Sequence, residues 1–210
     1  GIHGAELVTE LSGSRSSYRV LTICNTGGLA SVERGTALAV VQTLHERAAL
    51  QETIVVETRP LLQGARLTTW ELQRMGAPNR LVVDGAGPYL LSRGVVDAVL
   101  VGADRVAANG DTANKIGTFS LALAARHADV PFVVVAPEST IDMATPSGDN
   151  IEIEYRDGQE VVSVGGIMIA PKNTEAINPA FDLTPVGLIS AIVTDKRIIR
   201  LDQGDSLNPI

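Results

Sequence analysis

Aromatic residues make up only 3% of this 210-residue chain, cysteine occurs once, and 17 Lys and Arg face 24 Asp and Glu. Each shortage excludes something. A core this poor in aromatics has to be aliphatic, and with a hydrophobic fraction of 45% there is enough Val, Leu, Ile and Ala to build one. Continuous aliphatic runs suit parallel strands buried on both faces. The lone Cys24 rules out an internal disulfide framework and fits a reducing, cytoplasmic setting. A net charge of −7 argues against nucleic-acid binding, which depends on a basic surface that neutralises phosphates. It leaves room for one small anion held by a few aimed donors. No apolar run approaches the ~20 residues of a membrane-spanning helix, and no signal-peptide pattern is present. His3, His45 and His127 are not spaced as metal ligands, so no metal site is expected.

What is present is alternation. Strand-like runs at Arg19–Cys24, Thr53–Glu57, Arg80–Val83, Ala98–Gly102 and Pro131–Ala136 are separated by helical spacing. Leu38, Val41, Leu44 and Ala48 mark a helix across Thr36–Ala49. Thr68–Met75 and Tyr89–Arg93 suit shorter ones. Asn114–Ala128 is the clearest helix, with Ile116, Phe119, Leu123 and His127 on one face. The pattern predicts an α/β fold, a doubly wound, mostly parallel Rossmann-like sheet. Beyond Pro137, Asn150–Tyr155 and Glu160–Val164 flank Asp157-Gly158 and predict a small β-hairpin after the core strands. Asn178–Thr184 reads as an ordered loop and Pro185–Val193 as a short helix. Without repeats or a flexible linker, 1–210 is expected to form a single catalytic α/β domain.

Ligands of open α/β sheets bind beyond the strand carboxyl ends. Two reactive residues end strands. Cys24 precedes Asn25-Thr26-Gly27-Gly28, a turn whose N–H groups can favour a thiolate; a small buried hydrophobe is the alternative. Asp104 leaves an apolar strand, where desolvation can raise its pKa into the range of a general acid; pairing with Arg105 is the alternative. Asn109–Lys115 leads into the clearest helix, with Asp111 or Thr112 as cap. Asn114 and Lys115 there suit an anion site, or else an ordinary capped helix start. Gln63 follows another strand end. Neither a P-loop nor a dinucleotide fingerprint is present.

Taken in order, Ile23-Cys24-Asn25-Thr26-Gly27, Glu57-Thr58-Arg59-Pro60, Gln63–Thr68, Gly102-Ala103-Asp104-Arg105, Ala108–Asp111, Asn114–Thr118 and Asn178–Pro185 resemble the methylthioribose-1-phosphate isomerase family. The resemblance runs from about Gly1 to Ile199. It implies an aldose–ketose isomerase of methionine salvage that uses no metal or organic cofactor and acts on a phosphorylated sugar. It further implies Asp104 as proton donor, Cys24 as an aid to the transition state, and Gln63, Asn114 and Lys115 as holders of the sugar phosphate. A homodimer is expected on the same ground. Two positions depart from the family pattern: Ile23 replaces a histidine, and Gly85-Ala86-Gly87-Pro88 replaces a polar residue, Met and two alanines. The family's N-terminal domain, which supplies arginines to the phosphate, has no counterpart before Gly1, so a separate or missing segment is expected to complete the site. Two relatives offer rival readings. One is a non-catalytic regulatory subunit of the translation-initiation guanine-nucleotide exchange factor, the other ribose-1,5-bisphosphate isomerase.

Overall fold

Valine, isoleucine and leucine fill strands whose two faces are both covered, because branched side chains pack well on a pleated, sheltered surface. The structure, a computed structural model, describes residues 1–208. In chain order its first strands are β1 (Tyr18–Thr22), β2 (Leu50–Val56), β3 (Asn79–Val82), β4 (Ala98–Val101), β5 (Arg105–Ala107) and β6 (Thr112–Lys115). Then come β7 (Phe132–Val135), β8 (Ile141–Asp142), β9 (Ser163–Val164), β10 (Ile167–Met168), β11 (Phe181–Thr184), β12 (Ala191–Val193) and β13 (Ile198–Ile199). A seven-stranded sheet runs β13-β12-β7-β4-β1-β2-β3, parallel throughout except for the β12–β13 edge. A four-stranded sheet, β11-β6-β5-β8, sits beyond the carboxyl end of β4. The chain winds outward from β1 to β3, then crosses back to start again at β4 on the other side of β1. The β1–β4 junction is therefore the topological switch point.

Helices cover both faces. On one, α1 (Ile2–Leu11), α2 (Ala37–Glu46) and α3 (Thr69–Met75) bury Leu7, Val8, Leu38, Val41, Leu44 and Leu72 against Val20, Val55, Leu100 and Val133. On the other, α4 (Ala86–Ser92) and α5 (Thr118–His127) bury Leu91, Leu121 and Ala125 against Leu21, Ile54, Val99 and Val134. Alternate residues of one strand thus serve opposite cores. Each fully buried Leu, Val or Ile contributes roughly 1.5–3 kcal/mol. Gly87 lets α4 approach α5 closely, since a Cβ there would meet Leu121 Cδ2 at 2.7 Å. The Gly85–Pro88 departure is thereby the start of a packed helix.

The doubly wound parallel sheet and the α2 helix appear as the sequence predicts. Four local expectations do not. Thr112–Lys115 is a strand, and helix α5 begins only at Thr118, after Gly117 with φ 103°. Its buried face is Thr118, Leu121, Ala122 and Ala125, whereas Leu123 is exposed. The expected hairpin is displaced: Tyr155 bridges Pro179, and Ala180 N–H donates to the Glu154 carbonyl at 2.9 Å. The Asp157 carboxylate accepts from Gln159 N–H at 2.9 Å and starts one helical turn, α6 (Gln159–Val162). The hairpin that does form is β9–β10, turning at Gly165-Gly166 where both φ values are positive. Asn178–Thr184 ends in strand β11, and Pro185–Val193 forms a 3₁₀ turn followed by β12.

Candidate active site

β1 runs out into Ile23-Cys24 and its neighbour β4 into Gly102-Ala103-Asp104, so the thiol and the carboxyl flank the switch point from adjacent strand ends. Cys24 takes φ 65°, a left-handed conformation costing a non-glycine residue about 1–2 kcal/mol. Threonines clamp it on both sides. Cys24 N–H donates to Thr58 Oγ1 at 2.8 Å, and Thr68 Oγ1 donates to the Cys24 carbonyl at 2.6 Å. Thr58 itself has φ 68° and is held by Asp84, whose carboxylate accepts from Thr58 N–H at 2.9 Å and Arg59 N–H at 2.8 Å. Thr68 is delivered by a π-helical turn, Gly64–Thr68, which leads directly into α3. The next turn of α3 supplies Glu71. Its carboxylate accepts from Asn25 Nδ2 and Gly28 N–H, each at 2.8 Å, and fixes the glycine turn after the thiol.

Burial pushes the Cys24 thiol up. The Asn25 N–H and the nearby Lys115 and Arg156 cations oppose that shift, and Asp104 adds to it. The neutral thiol is favoured, contrary to the thiolate that the glycine turn suggested, because desolvation outweighs the donors. Desolvation also raises the Asp104 carboxyl, against Lys115 and Arg156. Asp104 retains open surface, yet it sits in a concave wall with Ala113, Ile151, Ile153, Glu154 and Phe181. Arg105 is not its partner; it pairs with Asp142 at 3.4 Å. The direction of the Asp104 shift is the one its strand-end position suggested.

Gln63 and Lys115 come together in one small cleft that also contains Arg156, Glu160 and Asn178. Lys115 is buried, its Nζ donates to the Ala180 carbonyl at 3.0 Å, and it lies 4.3 Å from the Phe181 ring centroid. Gln63 Oε1 is buried without a hydrogen-bond partner among the described residues. Asn114 goes elsewhere. Successive strand residues face opposite ways, and its Nδ2 donates to Thr118 Oγ1 at 3.0 Å. Nor do Asp111 and Thr112 cap α5. Asp111 accepts from Gly148 and Val186, and the helix is instead capped by Asp182, which accepts from Gly117 N–H at 2.7 Å and Phe119 N–H at 3.0 Å. Asp182 pairs with Asn114 across β11–β6, so cap and strand are one unit.

Burial pushes Asp182 up to about 6 despite its two backbone donors. A folded-state value above the unfolded one means that the native state holds a proton the unfolded chain has released. The resulting stability is present below the ordinary carboxyl range and lost as pH rises through about 6. Between pH 4 and 6 wild type should therefore lose up to about 2 kcal/mol relative to Asp182→Asn. Urea titrations of both proteins check this, and a flat difference would contradict it.

Sequence reasoning passed over five residues that build this site. Thr58 and Asp84 lie just past the predicted strands Thr53–Glu57 and Arg80–Val83, and Thr68 and Glu71 fall at the start of a predicted helix. Arg156 had no local signal, because its neighbours in the cleft are distant in sequence.

The profile of the Initiation factor 2 subunit family matches residues 3–200. A probable bifunctional methylthioribose-1-phosphate isomerase/methylthioribulose-1-phosphate dehydratase of Nocardia farcinica is 54% identical over 197 residues, covering 94% of this chain and 36% of that protein. The methylthioribose-1-phosphate isomerase of Chloroflexus aurantiacus is 50% identical over 200 residues, covering 95% of this chain and 56% of the relative. Among solved structures, 5-methylthioribose 1-phosphate isomerase from Pyrococcus horikoshii superposes with a TM-score of 0.88 at 43% identity, over 95% of this chain and 55% of that one. The translation initiation factor eIF-2B subunit delta from A. fulgidus gives 0.86 at 40%, over 94% and 56%. The chain thus spans about half the length of most of these relatives, and by its profile match, fold and strand-end motifs it belongs to the Initiation factor 2 subunit family.

Proposed function

We propose that this chain carries the reacting pair of an aldose–ketose isomerase that converts 5-methylthioribose 1-phosphate to 5-methylthioribulose 1-phosphate. The observation that carries this reading is the placement of Cys24 and Asp104 on adjacent strand ends at the switch point, with Lys115 within electrostatic reach of both. The substrate poses a particular problem. Its anomeric oxygen bears phosphate, so the ring cannot open by the free hemiacetal route, and the ring oxygen has to be protonated as its bond to C1 breaks. A carboxyl whose pKa is raised stays protonated nearer neutral pH and can give that proton. Asp104 takes this part. Moving one hydrogen from C2 to C1, while the C2 hydroxyl releases the proton that restores the acid, then leaves a ketone at C2, with no net oxidation and no call for an outside electron acceptor. The Cys24 thiol, neutral and held in place by Thr58 and Thr68, takes the position beside the reacting carbons. Gln63 and Lys115 hold the phosphate. Asn114 joins them only if its bond to Thr118 is exchanged for one to substrate.

This reading includes a cytoplasmic homodimer and an N-terminal part of the protein that supplies further donors to the phosphate. Likeness at 40% identity to an eIF-2B delta subunit favours a second reading, a non-catalytic interaction subunit. The Cys24/Asp104 pair and its supporting bonds favour the enzyme. In the full-length protein, turnover of 5-methylthioribose 1-phosphate should exceed that of ribose 1,5-bisphosphate, because the cleft offers few cations for a second phosphate. The reverse preference would replace the assigned substrate, and turnover of neither would favour the interaction subunit.

A further inference from the structure

Arg156 has no part in the sequence-based account, yet it stands in the same cleft as Gln63 and Lys115. Its place is set by the backbone. Arg156 N–H donates to the Asn178 carbonyl at 2.9 Å, Tyr155 bridges Pro179, and Ala180 N–H donates to the Glu154 carbonyl. The segment is thus fastened beside Phe181, whose partner across the ladder is Lys115. The Arg156 guanidinium lies 5.9 Å from the Phe181 ring centroid and the Lys115 ammonium 4.3 Å, so one ring orders two cationic heads.

The guanidinium is only partly used. Nε and Nη2 donate to Glu154 at 3.0 and 3.3 Å, while Nη1 has no protein partner among the described residues. Glu154 is half exposed, and a solvated pair of this kind is weak. Glu160 also reaches the cleft, but its carboxylate accepts from Asn178 Nδ2 at 3.0 Å. A phosphate dianion entering beside Lys115 would meet a planar fork that matches its geometry, and its double charge would compete there with the Glu154 carboxylate and the more distant charge of Glu160.

We propose that Arg156 is a substrate-contacting cation that shares the sugar phosphate with Lys115, and that Glu154 holds its fork until substrate arrives. The proposal rests on the isomerase reading and extends it to a residue on the Ile151–Arg156 segment.

The test is steady-state kinetics of the full-length protein with 5-methylthioribose 1-phosphate, using inorganic phosphate as competitive inhibitor. Arg156→Ala should raise KM, and the inhibition constant for phosphate with it, by roughly tenfold or more, with a much smaller change in kcat. Arg156→Lys should recover part of the loss. Glu154→Gln, which frees the fork, should leave KM unchanged or lower it. Thermal melts of each variant accompany the kinetics. If Arg156 acted only by pairing with Glu154, then Glu154→Gln and Arg156→Ala would raise KM alike, and the proposal would be overturned. Turnover with an unchanged KM in both Arg156 variants would overturn it too. No turnover by wild type would instead sink the isomerase reading, and this proposal with it.

Discussion

Asp104→Asn should reduce turnover by roughly a hundred- to ten-thousandfold, the range lost when a positioned general acid is removed. The fold should tolerate the change. Asp104 is tied to the second sheet through its backbone N–H, which donates to the Ala113 carbonyl at 2.9 Å. Its carboxyl has no protein donor in hydrogen-bond reach among the described residues, so the amide replaces it without orphaning a partner. Melting temperature and KM should both stay close to wild type, while kcat collapses. The pH profile gives a second check. An acid acts in its protonated form, so activity that depends on Asp104 is full below its raised pKa and falls as pH rises through it. A variant that retained most of the wild-type rate would remove Asp104 from the proton-donor role.

Gly64→Ala should unfold or severely destabilise the protein, by at least about 3 kcal/mol. A Cβ at Gly64 would lie 1.8 Å from the Val56 carbonyl oxygen and 3.1 Å from Thr58 Oγ1. Neither neighbour can yield cheaply. Val56 ends β2, which is paired in parallel with β1 and β3, and Thr58 is fixed by Asp84 while it accepts from Cys24 N–H. The close approach is what lets the π-helical turn press against β2, so that Gln63 enters the cleft and Thr68 reaches the Cys24 carbonyl. Urea denaturation measures the loss, and a midpoint like that of wild type would contradict the packing described here. Any folded remnant should also lose activity, because the Thr58–Cys24 bond would move with it.

These two residues show how far the sequence could be read. Asp104 was legible because an apolar strand ending in a carboxylate is a local signal, and the sheet that sets its strand beside that of Cys24 follows from strand–helix alternation. Gly64 was visible as a residue after Gln63, but its need to be glycine arises only when β2 and the π-helical turn meet. The Asn114–Ala128 expectation failed for a related reason. Thr112–Lys115 is too short to carry a period, and Ile116, three residues before Phe119, happens to extend the spacing of α5 backwards. Pairing with β5 on one side and with β11, some 70 residues away (Phe181 against Lys115), on the other makes that stretch a strand. The hairpin was misplaced because its first arm found a partner at Asn178–Ala180, a long-range choice invisible to local alternation. Arg156 was missed with it. Ile23 is buried in the core beside Gly117.

The most direct test of the central claim is the rate of 5-methylthioribulose 1-phosphate formation by the full-length protein and its Cys24→Ser variant, followed by NMR on 5-methylthioribose 1-phosphate. The account predicts steady conversion by wild type and a loss of at least about a hundredfold in the variant, whose hydroxyl keeps the size but not the softness of the thiol. Equal rates in the two proteins, or no ketose from wild type, would contradict it.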